Sequence, residues 1–417
     1  MSRRRRLALL SLAVLLLAGA GLLHWLLQPQ RLAPALLDMA GNALGLEITA
    51  SGIGEYRLRG TPQLVVRGVV AREPGAATPL LAAERILIAV PWSTLRARGR
   101  ELTAARLELD APVFDLAAFR HWLDQRPPGE TRMPTLTDGV LIRAGRIQGD
   151  GWTLERIDLR IPDLAPRRPL RGQLQARYRG SGLEVPMDLA FHLARLGEDG
   201  GVGIAGQATP ASQDWRLPVR LRLSAYLRRA ASRLEHVVLG SRAQYLTGTA
   251  RQSFALGVAG PLEFADGLRL RGGAFALRGR DAVPTLDAVG DLGLDDDGLL
   301  IDWRGQLADW PDAWPALPPP LGRSPSALPF ALAYRGTADL ADIAHLRVQR
   351  DATRFDARFR LFEVMDWLDA LEAGRGSPLP PLSGRLTTPR VEVSGATLEG
   401  VELRLDDPAV PANDDAP

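Results

Sequence analysis

The chain has 417 residues and no cysteine, and only 6% of its residues are aromatic. The missing thiols exclude disulfide scaffolds, cysteine-ligated zinc, iron–sulfur clusters and cysteine nucleophiles. The five histidines form no HExxH motif, and the sequence contains no G-x-S-x-G elbow and no Walker loop. We therefore expect no catalytic residues, no cofactor and no metal site, and we expect the protein not to be an enzyme.

Two short motifs hint at ligand binding, but the sequence around them disagrees. Residues 201–206 fit the dinucleotide pattern G-x-G-x-x-G, yet Pro210 interrupts the helix that should follow. Residues 295–298 resemble the start of a calcium loop, but Arg304 stands where that loop requires glutamate. A glycine-rich strand and a hairpin turn explain these two segments better.

A basic surface is also missing, although the sequence pI is about 9.7. The chain has 51 basic and 48 acidic residues, and Arg3, Arg4, Arg5 and Arg6 supply four of the positive charges. The remainder is therefore almost neutral, with 47 basic residues against 48 acidic ones. We expect no nucleic-acid partner.

The N-terminus contains one long apolar run, residues 7–27, directly after the four arginines. About 20 apolar residues cross a bilayer, and flanking arginines keep their end in the cytoplasm. We predict a single-pass membrane protein whose bulk lies on the far side of the membrane from the cytoplasm, with residues 1–29 as cytoplasmic cluster and anchor. A cleaved signal peptide is the alternative, since residues 18–20 resemble a cleavage site. The anchor residues singled out are Leu7, Leu16, Leu23, Trp25 and Leu27.

Beyond the anchor, the dominant pattern is strict alternation of apolar and polar residues, punctuated by 42 glycines and 32 prolines. Such alternation gives each strand one wet and one apolar side, which is typical of antiparallel sheets. We predict a mainly β fold: an N-terminal transmembrane helix, then a long twisted, quasi-repetitive antiparallel sheet, forming a groove or a sandwich. The clearest alternating segments are 170–178, 217–225, 354–361 and 401–406.

Few helices are expected, and they are short. One amphipathic helix is predicted within residues 30–44, and the others span residues 92–98, 116–125 and 362–373. Residues 30–125 then form an N-terminal module, and residues 126–379 a middle sheet region with proline-rich loops. Residues 380–406 form a C-terminal β repeat, and residues 407–417 a disordered acidic tail.

An internal repeat supports the quasi-repetitive sheet. Residues 153–161 (TLERIDLRI) match residues 397–405 (TLEGVELRL), with identity at five of nine positions. We predict two copies of one supersecondary unit.

These elements together resemble the AsmA-like family of bacterial envelope proteins. The resemblance covers residues 1–165 and 380–406 well, and the middle of the chain only in its strand pattern. It is carried by the anchor, the short helix, a C-terminal stretch with Gly384, Gly395 and Gly400, and the segments LEITA (46–50), QLVVRGVV (63–70), LLAAERILIAV (80–90) and LELDAPVF (107–114).

The resemblance implies that the membrane is the bacterial inner membrane and that the bulk of the chain is a periplasmic β-groove protein, which serves outer-membrane biogenesis and binds or conveys phospholipid. We expect the inner membrane, phospholipid and an envelope protein as partners. The alternative is a structural component of an envelope assembly or secretion complex, with a closed and dry β core. Alternation alone does not separate groove lining from core. The candidate groove residues are Leu159, Ile161, Leu174, Leu221, Leu223, Phe355, Phe359 and Leu403.

Overall fold

The computed structural model has a mainly β fold, with a long mixed sheet and few short helices. It describes residues 41, 45–57, 60–96, 103–125, 135–265, 267–295, 298–311, 313, 321–323, 326–337, 339–372, 377, 379–393 and 396–410. The chain divides into two compact units, residues 1–190 and residues 191–417. This boundary falls inside the region predicted as one middle domain.

The first unit is built on a sheet with the spatial order β1–β2–β3–β5/β6–β8–β9–β10. A separate parallel pair joins β4 to β7. The strands are β1 (Glu47–Arg57), β2 (Gln63–Arg72), β3 (Leu81–Ala89), β4 (Thr103–Ala104), β5 (Arg106–Asp110), β6 (Val113–Asp115), β7 (Thr135–Leu136), β8 (Val140–Gln148), β9 (Trp152–Ile161), β10 (Leu170–Gly180) and β11 (Leu183–Leu193), which crosses the boundary between the units.

The expectation of a purely antiparallel sheet is corrected at one point in this unit. Strands β5 and β6 both pair antiparallel with β3 and parallel with β8. They are two halves of one bent strand, separated at Ala111, whose φ is 48°. Because β6 runs directly into a helix, the chain crosses over before β8 and returns in the same direction.

That helix, α2 (Leu116–Asp124), follows the short α1 (Trp92–Arg96). The carboxylate of Asp115 caps α2 by accepting a hydrogen bond of 2.8 Å from the amide of Ala118. The helix places Phe119 and Trp122 against an apolar cluster around Leu46. Helix α2 therefore covers this apolar cluster. Both helices begin and end close to the residues predicted for them, 92–98 and 116–125.

The second unit is an antiparallel meander with the order β12–β14–β15–β16 and then onward, strand by strand, to β24. The short β13 pairs with β15, and α3 (Leu361–Glu372) follows β22. The strands are β12 (Gly200–Ala208), β13 (Trp215–Arg216), β14 (Val219–Arg228), β15 (Arg233–Thr247), β16 (Ala250–Glu263), β17 (Leu268–Arg278), β18 (Leu286–Asp295), β19 (Gly298–Leu307), β20 (Leu328–Gly336), β21 (Ile343–Arg350), β22 (Thr353–Arg360), β23 (Leu382–Val393) and β24 (Ala396–Leu405).

Several strands contain a β-bulge at a residue with positive φ, which raises the local twist. The two copies of the predicted internal repeat share the positive φ at equivalent positions: Arg156 in β9 (φ 52°), where the register with β10 shifts, and Gly400 in β24 (φ 63°), where the register with β23 is unbroken. Carboxylates on the following strand support two other bulges. Asp158 accepts from the amide of Ala144 at 3.1 Å, and Asp291 accepts from that of Gly272 at 2.6 Å.

The structure describes the two ends of the chain only in part. The predicted anchor, its arginines and most of the helix expected at residues 30–44 lie outside the described residues. Within the described part of the chain, no helix has the length and hydrophobicity for a membrane crossing. The first four residues of the predicted disordered tail are described, and two of them make close contacts: Ser383 Oγ donates to the carbonyl of Asp407 at 3.2 Å, and Val410 is fully buried.

Candidate functional site

The first unit carries a straight row of apolar side chains across six strands. Each member lies directly opposite the next on the neighbouring strand, so all point to one face of the sheet. We call this row the first ladder. It consists of Val66, Ile86, Leu109, Ile142, Leu159 and Leu174.

The second unit carries a longer row of the same kind, in which twelve neighbouring strands each contribute one residue in unbroken register. At the usual spacing of about 4.8 Å between strands, it runs for roughly 50 Å. We call it the second ladder. It consists of Ile204, Leu223, Leu239, Val258, Phe275, Ala288, Gly305, Phe330, Val348, Phe355, Leu386 and Leu403.

The second ladder is only partly shielded from solvent. Phe275 and Ala288 are buried, whereas the other ten residues keep part of their surface exposed, and Leu403 is 50% exposed. The described strands of this unit form one sheet, and α3 packs beside β22. A closed sandwich would bury such a face fully between two sheets about 10 Å apart. The face that carries the ladder is therefore an apolar surface without a complete second layer.

The opposite face of the second unit is wet and charged. Its arginines pair with carboxylates on the neighbouring strand, such as Arg278 with Asp287 at 2.6 Å and Arg385 with Glu402 at 3.1 Å. Exposed pairs of this kind contribute little stability. They do make the two faces chemically distinct, one apolar and one carrying ion pairs.

The first unit also has a charged face, and its ion pairs are more deeply placed. Arg85 and Arg143 both bind Asp110, at 2.8 and 3.1 Å, and Glu108 beside it is buried and lies 2.7 Å from Arg106. Burial acts to raise the pKa of Asp110, but hydrogen bonds from the two arginines outweigh it and hold that pKa below its ordinary value. This network lies on the face opposite the first ladder.

The structure brings the sequence-predicted groove residues onto these apolar faces. In the first unit, Leu159 lies directly opposite Leu174 in the ladder, and Ile161 follows Leu159 on the same face but is buried. In the second unit, Leu223, Phe355 and Leu403 are members of the ladder. Leu221 and Phe359 lie on the same face, two residues from Leu223 and four residues from Phe355 along their strands.

Sequence reasoning missed most members of the ladders, above all those on strands where small residues interrupt the alternation. Gly305 and Ala288 give little hydrophobic signal, yet they connect Phe275 to Phe330 across three strand boundaries. It also missed Arg350, which continues the apolar register of Leu346 and Val348 in β21 and is only 7% exposed. The sequence signal for its burial is its position: Arg350 stands two residues after Val348, where the alternation of β21 places an inward-facing residue.

The described residues offer little for covalent or metal chemistry. They contain no group of three or more histidine, aspartate or glutamate side chains arranged to hold a metal ion. Among the described residues, three carboxylates with a displaced pKa are Asp110, Asp199 and Asp339. None is a ladder member, and Asp110, which follows Leu109, lies on the opposite face of the sheet. The two ladders instead provide partly exposed apolar surface.

Comparison of the chain with protein-family models, with curated proteins and with solved structures finds no match.

Proposed function

We propose that this protein acts in cell-envelope biogenesis, as an inner-membrane-anchored periplasmic protein of the AsmA-like type, binding or conveying phospholipid acyl chains on its apolar sheet faces. The observation that carries the proposal is the second ladder, in which twelve adjacent strands contribute to one unbroken row. Large apolar faces that stay exposed in a folded protein generally mark binding surfaces. No covalent chemistry is involved.

The dimensions of the second ladder suit lipid. One bilayer leaflet contributes about half of the ~30 Å hydrocarbon core, so an extended acyl chain of roughly 15 Å spans about three strands at ~4.8 Å each. A ladder of roughly 50 Å has room for several chains in sequence. The ion pairs of the opposite face then remain in water.

The energetics favour passage over tight capture. Moving an acyl chain from water to an apolar face is worth about 25 cal/mol per Å² of apolar surface removed from water. A chain that moves from bilayer to groove exchanges one hydrocarbon environment for another, so most of this term cancels. Each lipid is then held against water but is free to move along a row of similar side chains.

Partial exposure is what supports an open groove over the alternative, a scaffold with a closed core. The buried Leu270, Phe275 and Ala288 form one small patch that resembles a closed core. The ladder on either side of this patch keeps exposed surface, from Ile204 at one end to Leu403 at the other.

The proposal is tested by photocrosslinking in living cells with the full chain. A benzoylphenylalanine in place of Leu223 samples the second ladder, and one in place of the neighbouring Ser224 samples the charged face of the same strand. Phe355 and Asp356 give a second matched pair on β22. We expect phospholipid adducts, identified by mass spectrometry, at Leu223 and Phe355 in at least tenfold excess over Ser224 and Asp356.

The opposite result has a clear meaning. If the ladder positions give no more lipid adduct than their neighbours, the acyl-chain proposal is wrong. Protein adducts at Leu223 in that case would support the scaffold.

A further inference from the structure

Arg350 lies on the same face as the second ladder, where arginine is unexpected. In β21, Leu346, Val348 and Arg350 follow one another at every second position, so their side chains share a face. Arg350 is 7% exposed, and its direct cross-strand partner Thr353 is 5% exposed. A cationic group is thus buried at the end of β21, two residues beyond the ladder member Val348.

Among the residues that the structure describes, the guanidinium group of Arg350 has one hydrogen-bond partner and no counter-charge. Its Nη1 donates a hydrogen bond of 2.7 Å to the carbonyl of Leu321, while its Nε is buried without any hydrogen-bond partner. Among the described residues, no carboxylate forms an ion pair with it. In contrast, the exposed Arg347 of β21 points to the charged face, where it lies 3.4 Å from the carboxylate of Asp356 on β22. A buried charge without a partner costs folding free energy, so its presence calls for another explanation.

Two buried hydroxyl groups lie beside this position. Thr353 Oγ1 donates to Thr388 Oγ1 at 3.0 Å, and Thr388 is 5% exposed. Each of these threonines lies two residues from a ladder member, Phe355 on β22 and Leu386 on β23. A compact polar group therefore lies directly beside the second ladder on β21, β22 and β23, on the same face of the sheet.

We propose that Arg350, Thr353 and Thr388 form a headgroup subsite that binds the phosphate of a phospholipid whose acyl chains lie on the second ladder; this inference rests on the proposed function. The Nε and Nη2 atoms lie along one edge of the guanidinium group, and a phosphate accepts two parallel hydrogen bonds from such an edge. The phosphate supplies the missing negative charge. The threonine hydroxyl groups donate to one another and to the backbone, Thr388 Oγ1 to the carbonyl of Arg390 at 3.3 Å, and they make the surroundings of the phosphate polar.

The test compares two lipids that differ only in the headgroup. The full chain, purified in a mild detergent with benzoylphenylalanine in place of Phe355, is mixed with equal amounts of phosphatidylglycerol and diacylglycerol of identical acyl chains. Adducts of each lipid are counted by mass spectrometry after illumination. We expect phosphatidylglycerol adducts in at least about tenfold excess, the range of a charge-assisted hydrogen bond.

Substitutions of Arg350 separate a ligand-binding role from a structural one. With Arg350→Met, we expect the excess to fall to near unity while total adducts persist, and the melting temperature to stay level or rise because a buried charge is removed. Arg350→Lys retains the charge and some of the excess, and it replaces the methionine variant if that variant does not fold. Arg354→Met, on the exposed face of β22, should retain the full excess.

Each remaining outcome is decisive. Adducts of both lipids without preference, or an excess that survives Arg350→Met, overturn the subsite and leave the proposed function standing. A lower melting temperature with unchanged preference identifies Arg350 as a support for the segment at Leu321. The absence of any lipid adduct overturns the proposed function and the subsite together.

Discussion

Asp291 on β18 accepts a hydrogen bond of 2.6 Å from the backbone amide of Gly272 on β17. Gly272 has a φ of 55°, and the bulge there interrupts the register between the two strands. A bulge leaves a backbone amide without a ladder partner. The carboxylate supplies that partner and fixes the place where the register shifts.

We predict that Asp291→Ala destabilises the protein by about 1–2 kcal/mol, because it leaves that amide without its acceptor. Asp291→Asn retains an acceptor oxygen and should lose much less. The measurement is the midpoint of thermal unfolding. Asp287 lies on the same strand as Asp291 and forms an exposed ion pair with Arg278 of β17. Asp287→Ala removes only this pair and should change the midpoint less than Asp291→Ala does.

Charge introduced on the apolar face should have opposite effects at two positions. Leu223 keeps exposed surface, so Leu223→Asp leaves the carboxylate hydrated and the fold intact while lipid binding is lost. Ala357, on the same face, is 1% exposed, so Ala357→Asp buries an unpaired charge and should unfold the protein. Circular dichroism with the crosslinking assay measures both effects. A sheet that unfolds with Leu223→Asp would mean that this face is a closed core.

Close strand packing predicts a contrast between two glycines. A Cβ at Gly305 would overlap the carbonyl oxygen of Asp287 and lie 2.8 Å from the Cα of Ala288. A Cβ at Gly240 would meet no heavy atom within 4 Å. Gly305→Ala should therefore cost about 1–3 kcal/mol, and Gly240→Ala should be neutral or slightly stabilising. Thermal unfolding of the two variants, side by side, checks this. Equal effects would contradict it.

The Asp110 network predicts acid sensitivity of the first unit. The pKa of Asp110 is lower in the folded state than its ordinary value, so its contribution to stability is fully present above the unfolded-state value of about 3.9. That contribution is lost as the pH falls from there through the folded-state pKa. The melting temperature of the wild type should therefore exceed that of Asp110→Asn at pH 7, and this difference should shrink below about pH 4. A difference that stays constant with pH would show that Asp110 does not contribute through its charge.

The strands themselves were largely predictable from the sequence because alternation is a local signal. The segment predicted at 170–178 is found as β10, and the one at 354–361 as β22. The predicted lipid-facing residues of each unit share one face for the same reason, since side-chain direction follows from residue parity.

What the sequence did not predict depends on interactions between distant residues. The parallel pairing of β6 with β8 results from the crossover through α2, and no local pattern encodes it. Bulges such as the one at Arg156 shift the parity within a strand, so a simple count of alternating residues loses the register there. Arg350 was overlooked because an arginine is ordinarily assigned to the wet side, and its burial depends on Leu321, which is 29 residues away in the chain.

From β14 to β24 each strand pairs antiparallel with the next strand along the chain, in most cases through a short turn, and this order makes strand number adjustable. Inserting or deleting one hairpin changes the sheet by two strands, which preserves the direction of every flanking strand and the face of every flanking side chain. The row of apolar residues would then lengthen or shorten in steps of roughly 10 Å. A sheet of this kind can grow in evolution by duplication of single hairpins, with its chemistry left unchanged.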